Sequence, residues 1–240
     1  MKQSSLDLQR EALVTAAIPF VLEYGWSEKA LTEACLSLSK EVQYWGMFFA
    51  NISDVVDFFE KSEDARMMRV MAEYGEIEGI RNKIGKALFE RIVHIVGGAQ
   101  MLQRLEEFYC GIHAPLAAKN IWQTADIIWF FAGDKSTDFN YYTKRTLLSG
   151  VYVAVAQRVL GRKNVILESA SRFGDLRTHP RAKDEIPELR SRMTSSALDD
   201  DVEIQKYISD ALDRVVKLGS FKKHLKLPKM EDIPILRMFS

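Results

Sequence analysis

Apolar residues recur at intervals of three and four along most of this chain, and this spacing restricts its fold more than any other feature. Such a spacing places apolar side chains on one face of an α-helix, whose period is about 3.6 residues. The strict alternation that is typical of strands is scarce. The sequence therefore predicts an all-α fold, with helices near residues 6–24, 28–36, 40–48, 53–73, 76–96, 98–109, 115–132, 138–160 and 201–218.

Glycine and serine residues predict where the first helices end and begin. Gly25 is expected to end the first helix, because glycine tolerates the left-handed conformation of a helix C-cap. Ser27, Ser39 and Ser53 are expected to begin the second, third and fourth helices, since a serine hydroxyl can accept a backbone N–H at that position. Three short helices would then precede a longer helical body.

The helical periodicity fades after residue 160. Residues 161–200 mix charges and contain Pro180 and Pro187, so we predict an irregular connection with one short helix near 188–195. The expected organisation is a helix-turn-helix-like module over 1–50, a helical body over 51–160, the irregular connection over 161–200, and a last helix with a basic tail over 201–240.

The composition is that of a globular protein, with 47% hydrophobic residues and 33 basic residues balanced by 33 acidic ones. A net charge of zero removes any global electrostatic argument for nucleic acid as a partner. Cys35 and Cys110 lie far apart, which is typical of a reducing compartment rather than a disulfide framework. Residues 1–20 do not resemble a secretory or mitochondrial leader, and no apolar run reaches the roughly 18 residues of a spanning helix. We therefore expect a soluble or peripheral protein.

The three N-terminal helices, followed by a helical body, resemble the outline of TetR-type regulators. Tyr44 and Phe48 stand where that family carries the aromatic residues of its recognition helix. DNA binding requires basic side chains against the phosphates, but residues 1–50 carry a net charge of −2. We therefore favour a TetR-like packing module without DNA contact. A DNA-binding TetR-type transcription regulator with a lipid effector remains the alternative.

Spacings typical of catalysis or metal binding are not found in the sequence. Cys110 stands three residues before His113, but a zinc site needs more ligands, and no other histidine stands near a cysteine or another histidine. None of the histidines has the Glu-x-x-His spacing of a di-iron carboxylate protein. Glu90 and His94 are four residues apart, which favours a hydrogen bond on a helix surface. Nucleophile elbows and phosphate-binding glycine loops are missing as well. We expect no catalytic residue, metal or cofactor, although catalytic groups can also assemble from distant parts of a chain.

The segment from 125 to 145 joins the end of an apolar helix, a charged turn after Gly133, and a new helix that Thr137 or Asp138 can cap. Four side chains of the new helix share one face, namely Asp138, Tyr141, Tyr142 and Arg145. Tyrosine and arginine beside a carboxylate are typical of an interface hot spot. The same pattern also fits an amphipathic helix that begins with a salt bridge.

This segment also carries a resemblance to a known family. It contains Asp126, Trp129, Ala132-Gly133-Asp134, Ser136-Thr137-Asp138-Phe139-Asn140 and Tyr142-Thr143-Lys144-Arg145. The order and spacing resemble the signature of the coenzyme Q (ubiquinone) biosynthesis accessory proteins, the products of the ninth numbered gene. The run Glu23 to Leu31 is similar to the opening of that family. The resemblance covers residues 8–160 and, more weakly, 201–218.

The resemblance implies a TetR-like fold that binds a lipid or an isoprenoid quinone intermediate instead of DNA. It implies a non-catalytic accessory protein, a homodimer, that works at a membrane surface with the di-iron demethoxyubiquinone hydroxylase. Its location would be the cytoplasm or inner membrane of a bacterium, or the matrix side in a mitochondrion. An apolar sheath is needed because moving each CH₂ of a prenyl tail into water costs about 0.8 kcal/mol.

The resemblance also implies candidate residues. The partner-binding surface would fall on Ile128, Asp138, Tyr141, Tyr142 and Arg145. Candidate lipid-lining side chains lie on the helices of the body, at Met67, Met71, Leu88, Ile92, Met101, Leu105, Trp122 and Trp129. The family's amphipathic C-terminal helix has no clear counterpart here. The basic tail from Lys217 to Lys229 either replaces it by attracting anionic lipid or is a solvated end.

Overall fold

A computed structural model describes residues 5–137, 139–174 and 200–215. Its helices are α1 (Ser5–Tyr24), α2 (Glu28–Ser37), α3 (Ile52–Glu73), α4 (Ile80–Ile92), α5 (Gly98–Tyr109), α6 (Ala114–Phe131) and α7 (Phe139–Gly174). A further helix, α8, spans 200–215, and a 3₁₀ turn at Tyr44–Met47 separates α2 from α3. The described residues contain no strand, which confirms the all-α prediction.

The predicted boundary between α1 and α2 is confirmed in its details. Gly25 has a φ of 70°, and its N–H donates to the carbonyl of Val21 at 2.8 Å. The hydroxyl of Ser27 accepts the N–H of Ala30 at 3.3 Å. A left-handed glycine and a serine N-cap therefore stand side by side in the turn.

The predicted helix over 40–48 is wrong. Ser39, its expected N-cap, has a φ of 56°, and only the single turn Tyr44–Met47 is helical. The reason is tertiary packing, because Phe48 and Phe49 are turned into the core, where Phe49 contacts the ring of Phe58 at a centroid distance of 5.6 Å. No α-helix stands where a TetR-type regulator would carry its recognition helix.

Asn51, and not Ser53, caps α3. The side chain of Asn51 accepts the N–H of Asp54 at 3.0 Å, and the Asp54 carboxylate accepts the N–H of Ala50 at 3.1 Å. This arrangement resembles a capping box, except that the carboxylate accepts from the residue before the N-cap, and the cap lies two residues before the expected position. The hydroxyl of Ser53 lies 3.4 Å from Nδ1 of His113 instead.

Two further boundaries differ from the prediction. The helix expected over 76–96 is shorter and runs from Ile80 to Ile92. The irregular connection expected from residue 161 is wrong over 161–174, where α7 continues to Gly174. Lysine, arginine and glutamate are good helix formers, and their charges do not end a helix. The short helix predicted near 188–195 and the basic tail lie outside the described residues.

The core joins the N-terminal helices to the rest of the fold. Helix α3 is central and packs against α1, α4 and α6, while α7 packs against α5 and α6. Trp26, in the turn after α1, packs against Phe59 of α3 at 5.1 Å between ring centroids. Helix α8 closes one side, where Ile208 lies 3.6 Å from the position that a Cβ on Gly85 would take.

Gly97 provides a test of the packing between α1 and α5. It has a φ of +83°, and a Cβ there would meet Leu22 and Met101 at 3.1 Å. Gly75 has a similar φ of +69° with nothing within 4 Å. We expect Gly75→Ala to lower the free energy of unfolding by about 1 kcal/mol through backbone strain alone, and Gly97→Ala by about 1–3 kcal/mol more through overpacking. Urea unfolding checks the difference, and equal losses would contradict the packing.

Candidate functional site

Most of the predicted lipid-lining side chains lie in the packed core. Six of them are at most 4% exposed, namely Met67, Met71, Leu88, Ile92, Met101 and Leu105. The three helices α3, α4 and α5 bring these residues into one hydrophobic cluster. Trp122 and Trp129 of α6 are only half-buried. A lipid reaching the six core residues would therefore have to displace side chains that pack against one another in this structure.

The signature segment folds into an ion-paired corner between α6 and α7. Arg145 of α7 is 4% exposed, and its Nε donates to Oδ1 of Asp126 on α6 at 2.6 Å. Its Nη1 donates to Oδ2 of Asp134, in the turn between the helices, at 3.0 Å. The hydroxyl of Tyr141 donates to the same oxygen of Asp126 at 3.0 Å. One arginine thus fixes the angle between the two helices and the turn that joins them.

Asp134 holds the turn from the other side. Its side chain is 4% exposed, and its Oδ1 accepts from Lys144 Nζ at 2.6 Å and from the hydroxyl of Ser136 at 2.8 Å. Burial opposes ionisation of this carboxyl, but the hydrogen bonds from Lys144, Arg145 and Ser136 outweigh burial and hold the pKa of Asp134 well below its ordinary value. The carboxylate is therefore charged at neutral pH and anchors both cations.

Aromatic side chains surround the corner. Trp129 donates its indole N–H to the carbonyl of Lys144 at 3.0 Å, and the guanidinium of Arg145 lies 3.4 Å from the ring centroid of Tyr141. Tyr142 contacts Tyr141 edge to face at 5.2 Å and lies 6.3 Å from Trp122. Tyr142 is 60% exposed. A rigid frame thus presents a tyrosine to solvent.

The predicted partner-binding residues have different places in this corner. Tyr142 is exposed and Tyr141 half-buried, so both can contact another protein. Arg145 is buried and holds the frame. Ile128 is fully buried at 0% exposure, so in this structure its side chain faces the core and does not lie on the surface that Tyr142 presents. Asp138 lies outside the described residues.

The sequence interpretation missed the acidic half of the corner. Asp126 and Asp134 belong to the quoted signature, but they precede α7, and helical spacing relates only residues of one helix. Lys144 lies on α7, but it is six residues after Asp138 and therefore not on the face that Tyr141, Tyr142 and Arg145 share. The signature itself could have predicted the corner, because its two acids, Asp126 and Asp134, precede its two bases, Lys144 and Arg145, and Gly133 lies in the turn between the helices.

A second charged cluster, also missed, lies inside the fold. Arg91 of α4 is fully buried, pairs with Glu60, and donates through Nε to Oδ1 of Asp64 at 2.7 Å. Thr124 donates to that oxygen at 2.8 Å, and Tyr109 donates to Glu60 at 2.9 Å. These contacts connect α3, α4, α5 and α6. The signal was the group of acidic side chains at residues 60, 63 and 64 on the buried face of α3, which is apolar elsewhere.

Burial changes the acidity of this cluster. Burial raises the pKa of Asp64 even though Arg91 and Thr124 donate to its carboxylate. Burial, with the adjacent carboxylate of Glu60, also raises the pKa of Tyr109 well above its ordinary value. The phenol of Tyr109 is therefore neutral at physiological pH and acts as a hydrogen-bond donor to Glu60.

Other acidic groups form pairs and not a metal site. Glu90 accepts from the Tyr74 hydroxyl at 2.6 Å and lies 2.9 Å from Nδ1 of His94, which confirms the predicted contact between Glu90 and His94. Within the described ranges, no three His, Cys, Asp or Glu side chains are grouped so that they could hold a metal ion. In the same ranges, none of the helices combines the length and apolarity needed to cross a membrane.

Two of the grooves on the described surface lie between helices of the body and its neighbours, and none of the eight predicted lipid-lining residues borders either of them. One, of about 490 Å³, lies between α3 and α6 and is lined by Lys61, Asp64, Ala65, Met68, Gln123, Asp126 and Ile127. The other, of about 250 Å³, lies between α4 and α8 and includes Arg81, Lys86 and Gln205. The first groove touches both charged clusters, since Asp64 belongs to the buried one and Asp126 to the corner.

Comparison with known proteins identifies the corner as part of a family domain. The COQ9 family matches residues 114–182, a range that begins with α6 and includes the corner. The rat (Rattus norvegicus) "Ubiquinone biosynthesis protein COQ9, mitochondrial" is 26% identical over 178 residues, which are 69% of this chain and 56% of the rat protein. The cattle (Bos taurus) protein of the same name is 30% identical over 159 residues, which are 62% of this chain and 50% of the cattle protein.

A frog (Xenopus tropicalis) protein of that name is 28% identical over 152 residues, or 60% of this chain and 48% of the frog protein. The chain thus spans about half the length of the curated relatives that it matches. The resemblance found in the signature is confirmed, because the COQ9 family model matches the segment that carries it and the similar proteins named here are COQ9 proteins of ubiquinone biosynthesis.

Proposed function

We propose that this chain acts in ubiquinone biosynthesis as a non-catalytic, lipid-binding accessory protein. It binds an isoprenoid quinone intermediate or a phospholipid and presents it to the di-iron demethoxyubiquinone hydroxylase. The names of the relatives support the pathway, since they describe ubiquinone biosynthesis proteins and name no reaction. The same names describe mitochondrial proteins, which supports a place at the matrix side of the inner membrane, or its counterpart in a bacterium.

One observation carries the docking part of the proposal, namely that the signature segment builds a rigid corner with an exposed tyrosine. Tyr142 is 60% exposed and Phe130, near the end of α6, is 76% exposed. Ion pairs and hydrogen bonds fix the backbone beneath them, so little conformational entropy is lost when a partner binds. Aromatic side chains held in this way are typical anchors of protein interfaces.

The lipid part of the proposal is supported by the composition of the core. Three buried methionines, Met67, Met71 and Met101, lie in the same cluster. Methionine side chains are unbranched and repack readily, so this region can separate around an apolar chain with little steric strain. We expect a dimer that forms through the last helices, as in TetR-like bodies.

Mass spectrometry of the organic extract from purified protein tests lipid binding. We expect a phospholipid or a prenylated quinone at a near-stoichiometric amount, because a prenyl tail transferred to water costs about 0.8 kcal/mol per CH₂. A clean extract from folded protein would contradict lipid binding. Tight, salt-sensitive binding to a palindromic DNA would then support the regulator.

Tyr142→Lys tests the docking surface. We expect it to weaken binding to the purified hydroxylase by about thirtyfold or more, the loss of about 2 kcal/mol that defines a hot spot. The far-ultraviolet circular dichroism should not change, because Tyr142 is 60% exposed. Tyr24→Lys is the matched control, since Tyr24 is an exposed tyrosine on α1. Equal affinity of the wild type and the Tyr142 variant, in biolayer interferometry, would refute the docking surface.

A further inference from the structure

We propose that the groove between α3 and α6 binds the head group of the lipid, a hydroxyl-bearing ring whose O–H donates a hydrogen bond to the free carboxylate oxygen of Asp64. This inference rests on the proposed function and names a chemical class of ligand and a place for it. The groove is not the site that the sequence predicted, because none of the eight predicted lining residues borders it and six of them lie in the core.

The polar end of the groove is the carboxylate of Asp64, a residue that is 4% exposed. Its Oδ1 accepts from Nε of Arg91 at 2.7 Å and from the hydroxyl of Thr124 at 2.8 Å. Asp64 also lines the groove, and within the described part of the chain its Oδ2 receives no protein donor. A carboxylate oxygen in such a place favours a ligand that brings an N–H or O–H.

The rest of the groove suits a ring with an alkyl tail. Ala65, Met68 and Ile127 supply apolar lining on α3 and α6, and the groove volume is about 490 Å³. Small-molecule sites typically measure about 300–1,000 Å³ and combine apolar walls with a few polar groups. Met68 can also adapt its shape to the ligand.

The charges around the groove favour a neutral donor over an ion. Asp64 and Asp126 both border the groove, which disfavours a phosphate or another anionic head group. Lys61 stands at the rim, where its Nζ pairs with Asp57 at 2.7 Å, and Arg91 already pairs with Asp64. A cationic head group would therefore be repelled by Lys61 and would be attracted only weakly by Asp64, because Arg91 already neutralises part of the charge of that carboxylate. A neutral hydroxyl needs only a hydrogen bond to the free oxygen of Asp64.

The position of the groove connects ligand and docking surface. Asp126 borders the groove and accepts from Arg145 at 2.6 Å and from Tyr141 at 3.0 Å. A head group that reaches Asp64 thus lies beside the side chains of the α6–α7 corner. A partner bound at Tyr141 and Tyr142 would meet the ring at this edge, without a passage through the packed core.

Calorimetry with matched ring compounds tests the inference on the full chain. The probe is decylhydroquinone, kept reduced under anaerobic conditions, and the control compound is its dimethyl ether, which has the same ring and tail but no O–H. We expect the hydroquinone to bind about tenfold or more tightly than the ether, because the ether would cover Oδ2 of Asp64 and displace water from it without supplying a donor. Equal affinities would overturn the assignment of Asp64.

Variants locate the site. Ala65→Trp fills the groove, and we expect it to abolish binding of both compounds while the protein remains folded. Asp64→Asn places an amide at the polar end, so the preference for the hydroquinone should disappear. Glu60→Gln is the matched control, because Glu60 also pairs with Arg91 but does not line the groove, and it should retain the preference. Unchanged binding in Ala65→Trp would overturn the site.

The outcomes separate this inference from the proposed function. If quinone still co-purifies and the hydroxylase still binds, but Ala65→Trp changes nothing, the groove is refuted and the accessory function stands. If the ring preference follows Asp64 while neither lipid nor hydroxylase binds, the groove stands as a small-molecule site and the accessory function is refuted.

Discussion

Arg91→Met is expected to lower the free energy of unfolding by about 3–5 kcal/mol, the typical cost of removing one partner of a buried ion pair. Arg91 is fully buried, and the change leaves Glu60 and Asp64, which are 6% and 4% exposed, without their cation. Methionine fills similar space, so the loss reports on charge rather than on a cavity. Urea unfolding at neutral pH, followed by circular dichroism, measures it.

The triple variant Arg91→Met, Glu60→Gln and Asp64→Asn is the control for this result. It removes the two carboxylates together with the arginine, and amides can still accept from Tyr109 and Thr124. We expect it to be more stable than Arg91→Met alone, because a buried network without charges avoids the desolvation of unpaired ions. A loss below about 1 kcal/mol in the single variant, typical of exposed pairs, would show that the arginine is not buried in solution.

Arg145→Met is expected to lower the free energy of unfolding by about 2–4 kcal/mol, since hydrogen bonds to charged groups contribute about 1.5–3 kcal/mol each. The change removes the contacts of Arg145 to Asp126 at 2.6 Å and to Asp134 at 3.0 Å. Lys144→Met is the matched control, because Lys144 contacts the same Asp134 but is 36% exposed. We expect the smaller loss there, as salt bridges near the surface contribute less.

The same variant should change the response of stability to acid. The folded-state pKa of Asp134 lies below its unfolded value, so the unfolded chain binds more protons and the stability contribution rises with pH. That contribution is complete above the unfolded pKa of about 4 and is lost as the pH falls through the folded-state pKa. Without Arg145 the pKa of Asp134 is less depressed, and the loss between pH 4 and pH 2 should be smaller. An identical acid dependence in both proteins would contradict this role.

The sequence predicted the functional segment better than it predicted the site within it. The signature pointed to Tyr141, Tyr142 and Arg145, and the structure places these three side chains in one corner. It did not show that Arg145 is buried between Asp126 and Asp134, because two of these three residues lie outside α7. Helical spacing relates residues of one helix only, so a contact across a turn escapes it.

The apolar candidates, Ile128 and the six core residues, show a second limit of the sequence, which does not distinguish a ligand cavity from a packed core. Their apolar side chains fit a lipid cavity and a packed interior equally well, since both surround them with carbon atoms. The sequence does not distinguish the two, and in this structure these side chains pack against one another in a single hydrophobic cluster. The groove between α3 and α6 was not predicted, because its polar end is Asp64, an acidic residue on the otherwise mostly apolar buried face of α3.

The sequence by itself determined the all-α class, most helix positions and the turn at Gly25 and Ser27, because these follow from interactions within a few residues of chain. Only the tertiary structure determined the conformation of residues 40–48, where burial of Phe48 and Phe49 prevents an α-helix. It also decided the pairing of Arg91 with Glu60 and Asp64, which lie about thirty residues away along the chain. Such contacts form only when separate helices exclude water together, and burial then determines which charges must pair.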